Sequence, residues 1–87
     1  MIQDILRVYD KKMTKDEQFH HTMEELGKHV AKVTRLKMRE DRQGHLAEEI
    51  ADIHLLAQCL LELEGVTKQQ VEKARAHFLE KVKEIYD

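Results

Sequence analysis

The sequence contains no proline and no tryptophan, and it has three glycines and one cysteine among its 87 residues. A single cysteine excludes an internal disulfide, so a chain this short needs a well-packed core, a metal ion or a partner for stability. No apolar run reaches the roughly 18 to 20 residues of a membrane span, and no secretory signal is visible. The sequence therefore predicts one domain, residues 1–87, that is cytoplasmic and does not enter a membrane.

An excess of basic charge is also missing, since the formal net charge is −2. A dedicated nucleic-acid binder usually shows a clear basic excess, and no helix rich in Arg, Asn and Gln suits the reading of bases. A small DNA-binding protein is therefore a weak alternative, and we expect no nucleic-acid partner. Charged residues make up 37% of the chain and apolar residues 41%. This balance, rich in Glu, Lys, Leu and Ala, is typical of an all-α protein.

Apolar residues recur at helical spacing in four segments. The predicted helices cover about residues 2–12, 15–39, 45–64 and 68–86. Capping-box sequences mark two of their starts, at Thr14-Lys15-Asp16-Glu17 and at Thr67-Lys68-Gln69-Gln70. Gly44 supplies a flexible point in the second turn, and Gly65 suits the position after the end of the third helix. The chain is thus predicted to be a four-helix protein with short turns.

The third predicted helix is apolar over an unusually wide arc. Its apolar residues span more than about 200° of a helical wheel, whereas an ordinary surface helix has a stripe little wider than about 100°. A second helix of about 25 residues is roughly 37 Å long, which exceeds the diameter of about 30 Å of a compact globule of this size. We therefore expect an elongated helical hairpin that pairs with a second copy of the chain.

Two carboxylates, Glu49 and Asp52, lie within this apolar arc one helical turn apart. Burying these charges lowers the stability of the fold unless they are paired or bound to a cation. One solution is a hard divalent cation such as Mg²⁺, with Glu25 of the second helix as a further ligand. The other solution is a pair of salt bridges across the hairpin to Lys28 and Lys32. The residues alone leave both solutions open.

Three histidines, His21, His29 and His45, also fall near these carboxylates. Together with them they could form a site for a transition metal. No close spacing of the HxH or HExxH kind supports such a site, so the sequence favours a solvated or structural role for the histidines. Cys59 is predicted to be a small residue of the core.

The segment Glu24-Glu25-Leu26-Gly27-Lys28, followed by Glu48-Glu49-Ile50-Ala51-Asp52, resembles the EExxE and ExxD signature of the MazG-like nucleotide pyrophosphohydrolases. This family belongs to the all-α NTP pyrophosphatase superfamily. The resemblance covers roughly residues 18–85 and includes Leu63-Glu64-Gly65-Val66 before the last helix. It implies a helical-hairpin bundle completed by oligomerisation, in a homodimer or a homotetramer. It also implies hydrolysis of nucleoside triphosphates to the monophosphate and pyrophosphate, with Mg²⁺ or alternatively Mn²⁺ as cofactor.

The resemblance assigns roles by position. It implies that Glu25, Glu49 and Asp52 are the metal ligands. It further implies that Glu24 and Glu48 assist catalysis by holding water or by orienting those ligands. The chemistry is consistent with these roles, because a strongly anionic triphosphate must be met by cations.

One position departs from the signature, because its last glutamate is Lys28 here. An ammonium in the site would weaken or abolish Mg²⁺ binding, and the chain would then be an inactive binding or regulatory module with the same fold. Alternatively, Lys28 binds substrate phosphate together with Lys32, although their basic run is also typical of a solvated helix face. The phosphoribosyl-ATP pyrophosphohydrolases share the helical pattern and are a lesser alternative.

Overall fold

The computed structural model describes all residues, 1–87, and contains four helices and no strand. The helices are α1 (Ile2–Asp10), α2 (Lys15–Met38), α3 (His45–Leu63) and α4 (Lys68–Tyr86). The prediction of an all-α fold is confirmed, and each helix begins at the predicted residue and ends within two residues of the predicted end. None of the four combines the length and the apolar character that crossing a lipid bilayer requires.

Local hydrogen bonds explain where two of the helices begin. The hydroxyl of Thr14 accepts the N–H of Glu17 at 3.2 Å, and the Glu17 carboxylate accepts the N–H of Thr14 at 3.0 Å. Thr67 and Gln70 form the same reciprocal pair at 3.2 and 2.8 Å. Both predicted capping boxes are therefore confirmed. Gly65 follows the end of α3 with a φ of 65°, a conformation that strains any residue with a side chain.

The turn between α2 and α3 is organised by Asp41, which the sequence reading did not single out. Its carboxylate accepts the N–H of Leu46 at 2.6 Å and the N–H of Gln43 at 3.2 Å. These bonds, the one to Leu46 first, hold the pKa of Asp41 below its usual range. Gly44 precedes α3 with a φ of 79° and offers no side chain to cap the helix. Asp41 therefore provides the cap that α3 needs.

The centre of the molecule is the antiparallel pair of α2 and α3, with α1 packed against both. No Cα atom of α4 lies within 8 Å of a Cα atom in another helix. The radius of gyration is 15.6 Å, against about 12 Å for a compact chain of this length. The molecule is thus elongated, as the length of the second helix predicts.

The buried core is small and partly polar. Leu6 and Cys59 are its buried apolar residues, which confirms the prediction for Cys59. Gln18 and Thr22 are buried beside them where α1 meets α2. The side-chain amide of Gln18 donates to Asp10 at 2.8 Å, and the Thr22 hydroxyl donates to the backbone carbonyl of Gln18 at 2.7 Å. The bond from Gln18 to Asp10 joins α2 to the end of α1 and fixes the corner between the two helices.

Much of the apolar surface of α3 and α4 is uncovered in the single chain. Ile50 is 51% exposed, Phe78 68% and Ile85 70%, and α4 has no buried residue. The solvent-accessible area of the chain is 7266 Å², whereas a compact monomer of this mass exposes about 5,400 Å². One side of α3 is covered by α2, and its other side remains open.

Candidate metal centre

Three side chains from two helices converge at the middle of the hairpin. His29 extends from α2, and Glu49 and Asp52 extend from successive turns of α3. One potential ligand atom from each lies within 4.8 Å of the others. Nδ1 of His29 contacts Oε2 of Glu49 and lies 3.9 Å from Oδ2 of Asp52. The two carboxylates predicted to face inward therefore meet an imidazole from the facing helix.

Glu25 lies on the opposite side of the same imidazole. It is one turn before His29 on α2, and its Oε2 is 4.0 Å from Nε2 of the ring. Its side chain is 32% exposed. The three residues predicted to be metal ligands thus surround one histidine, with Glu49 and Asp52 at one ring nitrogen and Glu25 at the other.

Glu49 is the buried member of the cluster, with 7% of the residue exposed. Nζ of Lys32 lies 2.8 Å from Oε1 of Glu49. The hydrogen bond from Lys32, and next the one with His29, lower the pKa of Glu49 below its usual range. The same bond raises the pKa of Lys32. Glu49 is therefore ionised at neutral pH, which a metal ligand requires.

Lys28 occupies a different place from the glutamate that it replaces in the signature. Its Nζ lies 3.5 Å from Oε1 of Glu25, and its side chain is 71% exposed. It forms no ion pair with Glu49 or Asp52. Of the two salt bridges considered from the sequence, the one from Lys32 to Glu49 is formed. The ammonium of Lys28 lies at the edge of the cluster and leaves its interior open.

Glu24 and Glu48 are exposed and lie outside the cluster of ligand atoms. Each precedes one of the inward-facing carboxylates by a single position, so its side chain is turned about 100° away around the helix axis. Glu48 is one turn before Asp52 on α3. The structure therefore places these two residues beside the cluster and in contact with solvent.

A cavity of about 230 Å³ adjoins the cluster between the first three helices. Glu25, His29 and Asp52 form its polar wall. Its other lining residues are His21 and four residues of α1 and α3: Ile5, Tyr9, Leu55 and Leu56. The Tyr9 and His21 rings meet edge to face, with centroids 5.3 Å apart. Charged ligand atoms and an apolar wall thus face the same small space.

The other histidine predicted near the site lies elsewhere. Nδ1 of His45 is 3.9 Å from Asp41 at the start of α3, outside the cluster. His29 is the one histidine of the three whose ring reaches the carboxylates. The sequence analysis considered His29 as a transition-metal ligand but favoured a solvated or structural role, because no HxH or HExxH spacing is present. A signal was present, since His29 lies four positions after Glu25 on the same helical face.

Tyr9 is a site residue to which the sequence analysis assigned no functional role. Burial raises the pKa of its hydroxyl, and the nearby Cys59 and Glu25 raise it further. The hydroxyl therefore stays protonated at neutral pH and can donate a hydrogen bond toward the cavity.

Comparison with protein-family models, with curated proteins and with solved structures found no match to this chain.

The donor set fits a divalent metal ion. Ligand atoms that surround one ion at about 2.1 Å lie no more than about 4.2 Å apart. The observed limit of 4.8 Å among His29, Glu49 and Asp52 is close to this value, so small side-chain movements are enough to close the site. The two carboxylates supply the negative charge that a divalent ion needs.

Proposed function

We propose that this chain is a MazG-like nucleoside triphosphate pyrophosphohydrolase, which converts a triphosphate and water to the monophosphate and pyrophosphate. The observation that carries the proposal is the convergence of Glu49 and Asp52 with His29 of the facing helix, beside a cavity that Asp52, His29 and Glu25 line. Two carboxylates one turn apart on a partly buried helix face have a clear use as ligands of a divalent ion.

The residues present would hold Mg²⁺ or Mn²⁺ through the carboxylates of Glu49 and Asp52, with Glu25 at the other side of the site. When bound, the ion would supply Lewis-acid chemistry and offset the charge of the phosphates. Lys28 and Lys32 are the neighbouring ammonium groups, with side chains 71% and 51% exposed. Both can swing toward a triphosphate from the rim of the cluster.

The exposed acidic residues suit a role with water. In the proposed reaction, a water oxygen forms a bond to the α-phosphorus. The bond from that phosphorus to the α–β bridging oxygen breaks, and pyrophosphate leaves with the electron pair. Glu48, one turn from Asp52 and open to solvent, takes the proton of the water. Glu24, beside Glu25, holds water at the rim of the cluster.

The cavity beside Tyr9 and His21 receives the nucleoside end of the substrate.

The proposal includes a second copy of the chain, in a homodimer or a homotetramer. The single chain exposes roughly 1,900 Å² more surface than a compact monomer of its mass. A standard interface buries about 800 Å² on each partner, so this excess is large enough for one. The uncovered apolar faces of α3 and α4 are where the second copy would pack. We also propose a cytoplasmic location, because nucleoside triphosphates are intracellular metabolites.

An assay of pyrophosphate release tests the proposal. The full chain is incubated with a panel of nucleoside triphosphates and phosphoribosyl-ATP, with Mg²⁺ or Mn²⁺. We expect release from at least one substrate and its loss in the double variant Glu49→Gln/Asp52→Asn, with circular dichroism showing that the variant is folded. Glu64→Gln, an exposed change after the end of α3, serves as the matched control. If the wild type releases no more pyrophosphate than the double variant, the proposed enzymatic activity is rejected.

A binding or regulatory module is the second candidate, and one observation favours it. Lys32 and His29 already contact the two oxygens of Glu49, so the buried carboxylate is compensated without a metal. Calorimetry with the same triphosphates separates the two candidates. Nucleotide binding without pyrophosphate release would support the module, and binding with release would support the enzyme.

A further inference from the structure

We infer that the site takes a divalent transition-metal ion in preference to Mg²⁺, with His29 as a ligand and Glu25 as the residue that positions its ring. This inference deepens the proposed function and rests on the same metal site, but it can be tested without turnover. It changes two of the roles that the motif resemblance implies. His29 becomes a metal ligand, and Glu25 is no longer one.

The orientation of the His29 imidazole favours a transition metal. Nδ1 of His29 faces both Glu49 and Asp52, and these three residues are the group whose ligand atoms lie within 4.8 Å. An ion held by the two carboxylates would therefore also meet a ring nitrogen. Mg²⁺ prefers oxygen ligands and retains its waters, whereas imidazole suits zinc, copper, iron and nickel. One imidazole and two carboxylates are thus a donor set for a transition metal.

Glu25 completes the arrangement from the far side of the ring. Its Oε2 lies 4.0 Å from Nε2 of His29. A histidine that binds metal through one nitrogen almost always donates its other N–H to a carboxylate, a carbonyl or water, which fixes the tautomer and the ring orientation. Glu25 is placed to accept that proton after a small movement. It is then a positioning residue that acts through His29.

The lysine that pairs with Glu49 does not block the inferred site. Lys32 contacts Oε1 of Glu49, whereas His29 contacts Oε2. One oxygen can therefore keep its ion pair while the other binds the metal. Lys28 is at the rim beside Glu25 and forms no ion pair with either inferred carboxylate ligand.

Co²⁺ is a suitable probe because its visible absorption reports nitrogen and oxygen ligation directly. The full chain is titrated with Co²⁺ in the spectrometer and with Co²⁺ and Mg²⁺ in the calorimeter. We expect wild type to bind Co²⁺ at least tenfold more tightly than Mg²⁺. His29→Gln should weaken Co²⁺ binding by about 100-fold and change its spectrum, with little effect on Mg²⁺. Glu25→Gln should weaken Co²⁺ binding by about tenfold, as expected for an outer partner.

Two controls make the outcome specific. His54→Gln removes an exposed histidine from α3 outside the cluster, and it should bind Co²⁺ as wild type does. Asp52→Asn tests the site without changing the buried pair, in case His29→Gln does not fold. Unchanged Co²⁺ binding in both His29→Gln and Asp52→Asn would overturn the inference, as would binding of Mg²⁺ that is as tight as that of Co²⁺.

The result is separable from the proposed function. Co²⁺ binding that depends on His29, without pyrophosphate release in any metal, would uphold the inference and reject the enzyme. Pyrophosphate release with Mg²⁺ that His29→Gln leaves unchanged, together with His29-independent Co²⁺ binding, would uphold the enzyme and overturn the inference.

Discussion

Nζ of Lys32 and Oε1 of Glu49 lie 2.8 Å apart and join α2 to α3 at the middle of the hairpin. The carboxylate of Glu49 is the most buried acidic group of the cluster, and the ammonium that compensates it comes from the facing helix. Its other oxygen contacts His29. The pairing therefore serves two purposes, because it stabilises the hairpin and keeps a carboxylate ionised beside the cavity.

This pairing predicts how stability depends on pH. The folded-state pKa of Glu49 is lowered, chiefly by Lys32, so its contribution to stability is present above the unfolded-state pKa and is lost as pH falls through the folded-state value. The free energy of unfolding should therefore decrease from about pH 5 to about pH 3. Glu49→Gln should show a shallower decrease in denaturant titrations over this range.

A comparison with Glu48→Gln isolates the effect. Glu48 is exposed on the same helix, and other carboxylates with lowered pKa, such as Asp41, are unchanged in both variants. Glu48→Gln should follow the wild-type pH profile. Equal slopes for wild type and Glu49→Gln would show that the pairing with Lys32 adds no stability at neutral pH.

The position of Lys28 predicts the effect of restoring the signature glutamate. Lys28→Glu replaces a cation at the rim, 3.5 Å from Glu25, with a third carboxylate on α2 near the cluster. Because the change adds negative charge in a solvent-exposed place, we expect the affinity for Mg²⁺ to rise by about threefold to tenfold. Calorimetric titration with Mg²⁺ at fixed ionic strength measures the affinity of both proteins.

Lys37→Glu is the matched control for this change. It makes the same charge substitution in the last turn of α2, more than two turns beyond the cluster. Its effect on Mg²⁺ affinity should be small at physiological salt. A rise as large as that of Lys28→Glu would mean that net charge, and not the place of Lys28, controls the affinity.

The helices could be read from the sequence because their signals are local. The two capping boxes each depend on four consecutive residues, and both are formed. The cap of α3 was missed for the opposite reason. Asp41 reaches the N–H of Leu46 five positions later across a turn, and no short motif encodes that geometry. The sequence instead indicated Gly44 as the flexible point of this turn, and Gly44 adopts a positive φ.

The sequence predicts which way the side chains of the site point around each helix, but it does not predict which residues of the two helices meet. A helical wheel shows which way Glu49 points around the axis of its own helix, and the residue is buried. The wheel does not show how far α3 slides along α2. The axial register of the two helices places Lys32, one turn after Lys28, against Glu49. It also places His29 among the carboxylates. Contacts between helices therefore required the structure.

The capping box of α4 gives a prediction about stability. The hydroxyl of Thr67 accepts the N–H of Gln70 at 3.2 Å, and α4 has no close backbone neighbour to hold it otherwise. Thr67→Ala should cost about 1 kcal/mol and lower the Tm by about 4 to 8 °C. Thermal denaturation followed by circular dichroism measures the change.

Hydrogen exchange locates this loss, and Thr34→Ala provides the comparison. Thr34 is an exposed residue inside α2 whose hydroxyl donates to the carbonyl of Val30 at 3.4 Å. Its replacement removes no cap and introduces the best helix former, so stability should be unchanged or slightly higher. Faster exchange should appear in α4 with Thr67→Ala only. Equal effects of the two variants would contradict a capping role.

The uncovered face of α4 leads to a prediction about assembly. Phe78 is 68% exposed and lines an open apolar cavity with Leu61 and Val71. A second copy that packs on this face would bury the ring, so Phe78→Glu would place a charge in the interface. We expect wild type to have at least twice the monomer mass by light scattering, and Phe78→Glu to shift toward the mass of one chain.

Lys81→Glu is the control for the added charge, because it alters the same exposed helix one turn away and removes no apolar side chain. It should keep the wild-type mass. Since the interface would cover exposed apolar residues of α3 and α4, the monomeric variant should also unfold at a lower temperature. A wild-type protein that is monomeric at high micromolar concentration would reject this interface, because the apolar face of α3 would then remain in contact with solvent.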